Sequence, residues 1–537
     1  MLYTTSTRMK KTDNKNNDRL ALYGLLSSLG LSPAMRNDQA ILEALEKGEP
    51  VDHIQGLNEA GLMDPFFEFL EEANIFSCVK KVSTLSYRRV MVPIVLLVLT
   101  YMTKILIGVP SMNALPDVLF SKVSIMRLLG FNAHILENGL CRRGEHARKN
   151  CEPPKPFSPQ MLANFIERIS PQEVETFFNN VVNALARFGV FPKELTAIMD
   201  GSDLETTEQY EGCGRVRRDK EVNGKTVEVT IFGFKIIAVM DLHTQIPLAV
   251  KVVKISERET NYTIALLKQA KRNLGDYSQI THLVFDRGFL DGQDFYALDQ
   301  MGITFIIPAK SNMAVYHDAR SLAAKSLGIY KERKNAAVTG IEGLTTFDSY
   351  CAPEQFEKTN RKDFTPQPIN AVVVNRWNDK VYPAKKGPVF LTNGPVRQPL
   401  KVYDRYDDRS IIENLLFRES KQGWHLCQPP KKSYRAMVSH AVLTMVTYAL
   451  TMAYRDWEDN EGYEETSYRS FDHGFRRWKR KKVKEYLDYV IIFVDEYYGI
   501  FHLEELAFFS GIRVRKPMLK ISSKDDVYRR RGLKPPK

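Results

Sequence analysis

Two spacings of hydrophobic residues divide this chain. Up to about Gly189 apolar positions recur at helical intervals. "DRLALYGLLSSLG" and "DQAILEALEKG" each begin at an aspartate cap and stop at glycine, and "SPQMLANFIERISPQEVETFFNNVVNALARFG" (Ser158–Gly189) predicts two helices, each opening with Ser-Pro. Near Pro192 the pattern changes. "ELTAIMDGS" predicts a strand ending at Asp200, and "TVEVTIFGFKIIAVMDLHTQIPLAVKVVK" predicts two strands turning at "MDLHTQIP". An amphipathic helix ("NYTIALLKQAKRN"), a strand ("THLVFDRG"), a helix ("DGQDFYALDQMG") and a strand ("ITFIIPAK") follow. The order is β-β-β-α-β-α-β, with the first three strands antiparallel through short turns and the later ones parallel. From Ser311 to about Lys401 short strand-like pieces ("INAVVVNRW", "GPVFLTN") lie among Pro, Asn, Lys and Glu, which predicts a β-rich insertion. Helical sequence returns at Asp408, and no tandem repeat is present.

Composition narrows the setting. A chain of 537 residues holds two to four domains with a substantial core. A net charge of +12 and a pI near 9.1 favour a polyanionic partner, either nucleic acid or an acidic membrane surface. The run Val90–Pro110 approaches the length of a membrane span, but Pro93 stands near its start and Lys104 in its body. It is expected to be a buried core helix, with no membrane partner. Six cysteines are too few for a disulfide scaffold. Cys141, His146 and Cys151 cluster without a Cys-x2-Cys pair, so scattered thiols are expected there rather than a structural metal. The polar N-terminus lacks an apolar signal core, which points to a cytoplasmic protein.

The chemistry suggested by the strands is acidic. Asp200 and Asp286 each close a hydrophobic run ahead of a turn. If their strands are neighbours, the two carboxylates meet, and they repel unless a cation sits between them. Hard divalent ions such as Mg2+ take oxygen ligands and bind phosphates. A third carboxylate is available in "RYDDRSIIENLLFRESKQGW" (Arg405–Trp424), where Tyr406, Arg409 and Glu413 are spaced to share one helical face. Taken singly, an aspartate after a strand is more often a turn residue, and Arg409 with Glu413 is an ordinary exposed helix pair worth a few tenths of a kcal/mol. Their combination in a basic protein outweighs those readings.

The ordered set resembles the DDE transposases of the ribonuclease H-like class, especially insertion-sequence transposases of the IS4 type. In that family the first Asp ends strand one, the second follows strand four, and a β-rich insertion precedes a helix with a Tyr-x2-Arg-x3-Glu-x6-Lys signature. Tyr406, Arg409 and Glu413 match in register, and "FDRGF" (Phe285–Phe289) resembles the second-Asp motif. At the last signature position stands Ser420, with Lys421 one residue further on, a shift of about 100° around an α-helix. The resemblance spans roughly Thr196–Trp424. It implies a mixed five-stranded ribonuclease H-like α/β sheet with flanking helices, and Asp200, Asp286 and Glu413 as catalytic ligands of two Mg2+ ions, with Mn2+ as a substitute. Tyr406, Arg409 and Lys421 would bind DNA. It further implies cleavage at transposon ends, strand transfer into target DNA, inverted-repeat ends as partners, a homodimer in the synaptic complex, and nucleoid association.

On this reading residues 1–150 form a helical, DNA-binding N-terminal region. Residues 151–310 begin the catalytic domain, 311–401 form the insertion, 402–455 complete the domain, and 456–537 make a basic helical C-terminal region. The basic stretches at 476–484 and 513–537 are expected to bind backbone phosphate. Asp203 and Asp241 are expected in turns, and Arg287 either touches DNA or pairs with a carboxylate. Glu419 is the second choice for the third ligand, on a different helix face, and Trp424 is expected to pack in the core. A nuclease on the same fold without strand transfer, and a non-catalytic DNA-binding relative, are the alternatives.

Overall fold

The computed structural model describes, with short breaks, residues 35–139, 156–460 and 489–502. The predicted helix at 18–30, the Cys141, His146 and Cys151 group and both basic stretches lie outside the described residues. The chain divides into two compact units. One draws on both ends of the chain, and the other holds residues 77–87 and 163–471.

In the first unit, strand β1 (His53–Gly56) pairs with Tyr489–Val494, which pairs in turn with Tyr497–His502. The helix Asp38–Glu46 lays Ile41, Ala44 and Leu45 on this small sheet. Its cap is Asn37, whose side chain accepts from the Ala40 amide, and not Asp38, which pairs with Arg36 at 2.7 Å. The apolar run forms the helix Ile94–Leu106, with Leu97 to Leu106 all buried. Lys104 is buried with them, its ammonium 5.8 Å from the Tyr101 ring centre, and burial pulls its pKa down to about 8.

The second unit is built on one mixed sheet. The helix Pro171–Phe188 opens as its Ser-Pro start predicts, Ser170 accepting from the Glu173 amide, and it turns out at Gly189 in the left-handed conformation. Strands β2 (Glu194–Thr206), β3 (Gly214–Val222), β4 (Lys225–Asp241), β5 (Pro247–Lys254), β6 (Gln279–Phe285) and β7 (Thr304–Pro308) follow. β5, β4 and β2 run antiparallel in that spatial order, and β6 and β7 continue from β2 in parallel. Helices Thr263–Leu274 and Gly292–Gln300 make the crossovers. This is the mixed order of antiparallel and then parallel strands expected, in an α/β fold.

Two features of this sheet depart from the sequence reading, as do the strands Tyr489–Val494 and Tyr497–His502 of the first unit, which lie in the C-terminal region expected to be helical. β2 does not stop at Asp200, because the long β4 pairs with it as far as Thr206 opposite Phe232. Asp200 therefore lies mid-strand. β3 was not anticipated either. It pairs with the first half of β4 as a hairpin arm, in register from Gly214↔Gly233 to Val222↔Lys225. Its run "RVRRDKEV" has no apolar alternation, but Asn223-Gly224 between the strands is a two-residue hairpin signal. Gly233 stands where the arm leaves the sheet, at φ +159°, and a Cβ there would lie 2.3 Å from the Leu204 carbonyl oxygen.

The β-rich segment extends the same sheet. After the helix Ala314–Ala324 come β8 (Ile329–Arg333), β9 (Ala336–Leu344), β10 (Ile369–Trp377), β11 (Lys380–Val381) and β12 (Val389–Thr392). β12 pairs with β7, which gives eleven strands in place of five. The helix Tyr434–Asn460 packs against the helix Pro171–Phe188 and β5. Its stretch Tyr434–Trp457 is long and apolar enough to cross a bilayer, and its most apolar window is wholly buried in the fold.

Candidate catalytic site

The register of β2 and β6 brings the aspartates together. Met199 lies opposite Phe285, so the next residues, Asp200 and Asp286, stand side by side on adjacent parallel strands. Asp286 keeps extended dihedrals (φ −77°, ψ 161°) and precedes the 3-10 turn Arg287–Phe289, with the Phe289 amide donating to its carbonyl at 3.0 Å. Asp200 is nearly buried.

The third carboxylate arrives on a broken helix. The helix Pro399–Asp407 stops at Asp408, and the chain resumes as a π turn over Ile412–Phe417, then as the helix Arg418–Gly423. Arg409 sits in the break. Its Nη1 donates to Asp200 Oδ2 and to Glu413 Oε1, each at 2.9 Å, so one guanidinium joins the first and third carboxylates. The Tyr406 ring centre lies 4.3 Å from that of Phe390 and 6.0 Å from the Arg409 guanidinium, which it backs.

The π turn accounts for Lys421. A π turn takes up one residue more than an α turn, so a lysine one position late regains the direction that the signature position has on a regular helix. Lys421 Nζ donates to Ser202 Oγ at 2.7 Å, two residues along β2 from Asp200 and on the same strand face. Ser420, at the signature position itself, is fully buried.

Charge is unevenly compensated here. Burial raises the Asp200 pKa to about 7, against the opposing pull of Arg409 and the Gly201 amide, and the neighbouring charges of Glu413 and Asp286 push it the same way as burial. Burial works against the charge of Arg409, but Asp200, Tyr406 and Glu413 outweigh it and the net shift is upward. Burial also raises the Tyr406 hydroxyl.

Three carboxylates and no softer donor are the ligand chemistry of Mg2+ or Mn2+, and the raised proton affinity of Asp200 marks a site short of positive charge. The donor set thus fits a divalent ion. In the present arrangement Arg409 stands between Asp200 and Glu413, and among the described residues no three acidic, His or Cys side chains are close enough to share an ion.

A fourth acidic side chain was not singled out from the sequence. Glu259 lies against the residues that follow both aspartates: a Cβ at Gly201 would be 2.5 Å from its Oε1, and one at Gly288 2.8 Å from its Oε2. Lys235 holds it at 2.9 Å, with both side chains mostly buried. The glycine after Asp200 and the glycine two past Asp286 were the available signal.

Other expectations resolve as follows. Asp203 is not in a turn but in β2, where it pairs with Arg218 of the hairpin arm at 2.5 Å. Asp241 is a turn residue, accepting from the Thr244 amide and hydroxyl at 2.8 Å each. Arg287 is exposed. Glu419 acts on Tyr448 of the long helix rather than on the aspartates. Trp424 is buried edge-on to Tyr448, with ring centres 5.4 Å apart.

No curated protein matches the chain. Among solved structures, the cryo-EM structure of the piggyBac transposase synaptic complex with hairpin DNA is similar to it at 10% identity and a TM-score of 0.38, over 89% of this chain and 87% of that one. Residues 192–450, which carry all three carboxylates, match the family model of the transposase DDE domain.

Proposed function

We propose that this protein cuts DNA at the ends of a mobile element and joins the freed ends to target DNA, with Asp200, Asp286 and Glu413 as its metal ligands. The observation that carries this reading is the meeting of two aspartates on adjacent parallel strands with a glutamate tied to the first through Arg409. Two Mg2+ ions bound there, or Mn2+ in their place, would supply Lewis acidity at the scissile phosphate and at the leaving 3′ oxygen.

The chain's own residues have separate tasks. The carboxylates would hold the cations through which the reacting phosphate is positioned. Arg409, once it lets go of Asp200, offers a two-pronged donor to the phosphate beside the cut, and Tyr406 limits where it swings. Lys421 reaches the same face of β2. Water attacks the phosphodiester first, and the freed 3′ hydroxyl then attacks the opposite strand or target DNA. The net charge of +12 suits that substrate. Two ends cut in concert call for a homodimer, and a DNA substrate places the protein at the nucleoid.

The test is Asp286→Ala in the full chain. Mg2+-dependent nicking of supercoiled plasmid should vanish while DNA binding persists. Equal nicking by variant and wild type would remove Asp286 from the site. Nicked products that are never joined would reduce the reading to a nuclease.

A further inference from the structure

Next to the carboxylates lies a second site, lined by cations without carboxylates. A cavity of about 340 Å³ opens between β6, β7 and the helix Pro399–Asp407, with Arg397, Lys401 and Arg405 on its wall and His282 and Thr304 on the sheet side. The three cations are spaced four residues apart, so Lys401 and Arg405 stack one turn apart on the helix and Arg397 precedes its first turn. Several other cations in this unit are matched: Arg333 with Asp404, Lys251 with Glu175, Lys235 with Glu259. No ion pair with a described carboxylate satisfies Arg397, Lys401 or Arg405, and Asp408, whose carboxyl feels the charge of Arg405, lies off the cavity wall. Three like charges around one hollow repel each other, and a polyanion relieves that repulsion.

The position of the cavity says which polyanion. His282, Val284 and Asp286 alternate onto one face of the β6 strand, and Val284 packs under Tyr403 and Tyr406 of the overlying helix. At the strand rise, His282 is about 13 Å from Asp286. Tyr406 directly follows Arg405, and Arg409 is one turn further on. We propose that this cavity seats backbone phosphates of the DNA strand that runs into the carboxylate site, a few nucleotides from the bond that is cut. The inference deepens the DNA-cutting reading and rests on it. Such contacts set the strand's position and carry no base preference.

The test compares the full chain with a triple variant, Arg397→Gln, Lys401→Gln and Arg405→Gln, binding a fluorescein-labelled duplex in 50 to 200 mM KCl. Each lost phosphate contact lowers the slope of log affinity against log salt by about 0.9, so the triple variant should lose about 2.7 in slope. Across that fourfold salt range its affinity should fall about 40-fold less steeply than that of the wild type. Arg405→Lys should keep the slope that Arg405→Gln loses, which separates charge from misfolding. A second triple variant, Lys268→Gln, Lys271→Gln and Arg272→Gln, removes equal charge from an exposed helix face elsewhere and should leave the slope close to wild type.

An unchanged slope in the first triple variant overturns the proposal, and so does an equal loss in the second. A thermal shift by inorganic phosphate that the first triple variant abolishes, with the DNA slope intact, also overturns it in favour of a free-phosphate site. A wild type that binds no DNA takes down both this inference and the catalytic reading. A wild type that binds with the expected slopes but never nicks supports this inference and fails only the catalytic one.

Discussion

Exchanging two neighbouring residues tests whether the π turn sets the direction of Lys421. The double variant Ser420→Lys with Lys421→Ser restores the signature spacing found in the family. On a regular helix it would carry the lysine to the same place. In this structure position 420 is fully buried, and its hydroxyl has no partner among the described residues. An ammonium there must shed its water or force the helix outward, at a cost of several kcal/mol. The bond from Lys421 to Ser202 is lost as well, worth about 1.5–3 kcal/mol for a charged donor. The sum, about 5 kcal/mol, is a large share of a domain's usual margin. At about 1.5 °C per kcal/mol for a unit of this size, the melting transition should fall by about 7 °C. Differential scanning calorimetry on the full chain measures it, with Lys421→Ser alone as the control, expected to lose only the smaller part. A double variant that melts with the wild type and nicks plasmid normally would show that position 420 faces the site and that the π turn does not redirect the lysine.

Three further outcomes are expected. The folded-state pKa of Asp200, about 7, lies above the ordinary value of 3.8, so its contribution to stability is fully present below about pH 4 and is lost as pH rises through 7. Asp200→Asn should therefore gain on the wild type in thermal melts more at pH 8.5 than at pH 5.5, and a gain that is flat with pH would refute the assignment. Lys104 is shifted the other way, from 10.5 to about 8, so below pH 8 its buried charge costs stability, and the cost fades as pH rises through 8 to 10.5. Lys104→Met should stabilise the chain by about 1–3 kcal/mol at pH 7 and by less at pH 10, as read by denaturant unfolding. Gly233→Ala forces a Cβ against the Leu204 carbonyl at a positive φ and should cost 2 kcal/mol or more, about the range for backbone strain, while Gly302→Ala, with open space around it, should lose only the strain of its φ.

Much of the site was legible because its parts obey short-range rules. Hydrophobic runs closed by Asp200 and Asp286 located both strands, and the three- and four-residue spacing of Tyr406, Arg409 and Glu413 located the helix. What escaped depended on pairing between distant segments. Nothing within "ELTAIMDGS" says that β4 will carry β2 on to Thr206. The hairpin arm was hidden because its strand is charged at nearly every position, leaving only Asn223-Gly224 to announce it. The break before Glu413 has no glycine or proline to mark it, so the helix reads as continuous. Glu259 is visible only once two glycines, Gly201 of β2 and Gly288 of the turn after β6, are brought over the same carboxylate.

The join between β7 and β12 is brief. Phe390 and Leu391 pair with Pro308 and Ile307, one more amide bond links Ala309 to Val389, and the Asn393 side chain stitches the next position by accepting from the Phe305 amide and donating to the Ile303 carbonyl. Both aspartates are mounted on one side of this seam, and the helix leading to the glutamate springs from the other. The spacing of the three carboxylates thus draws on this narrow seam as well as on the direct ties of Arg409 to Asp200 and of Lys421 to Ser202. Loosening Asn393 would slacken one support of the proposed site without touching any of its carboxylates.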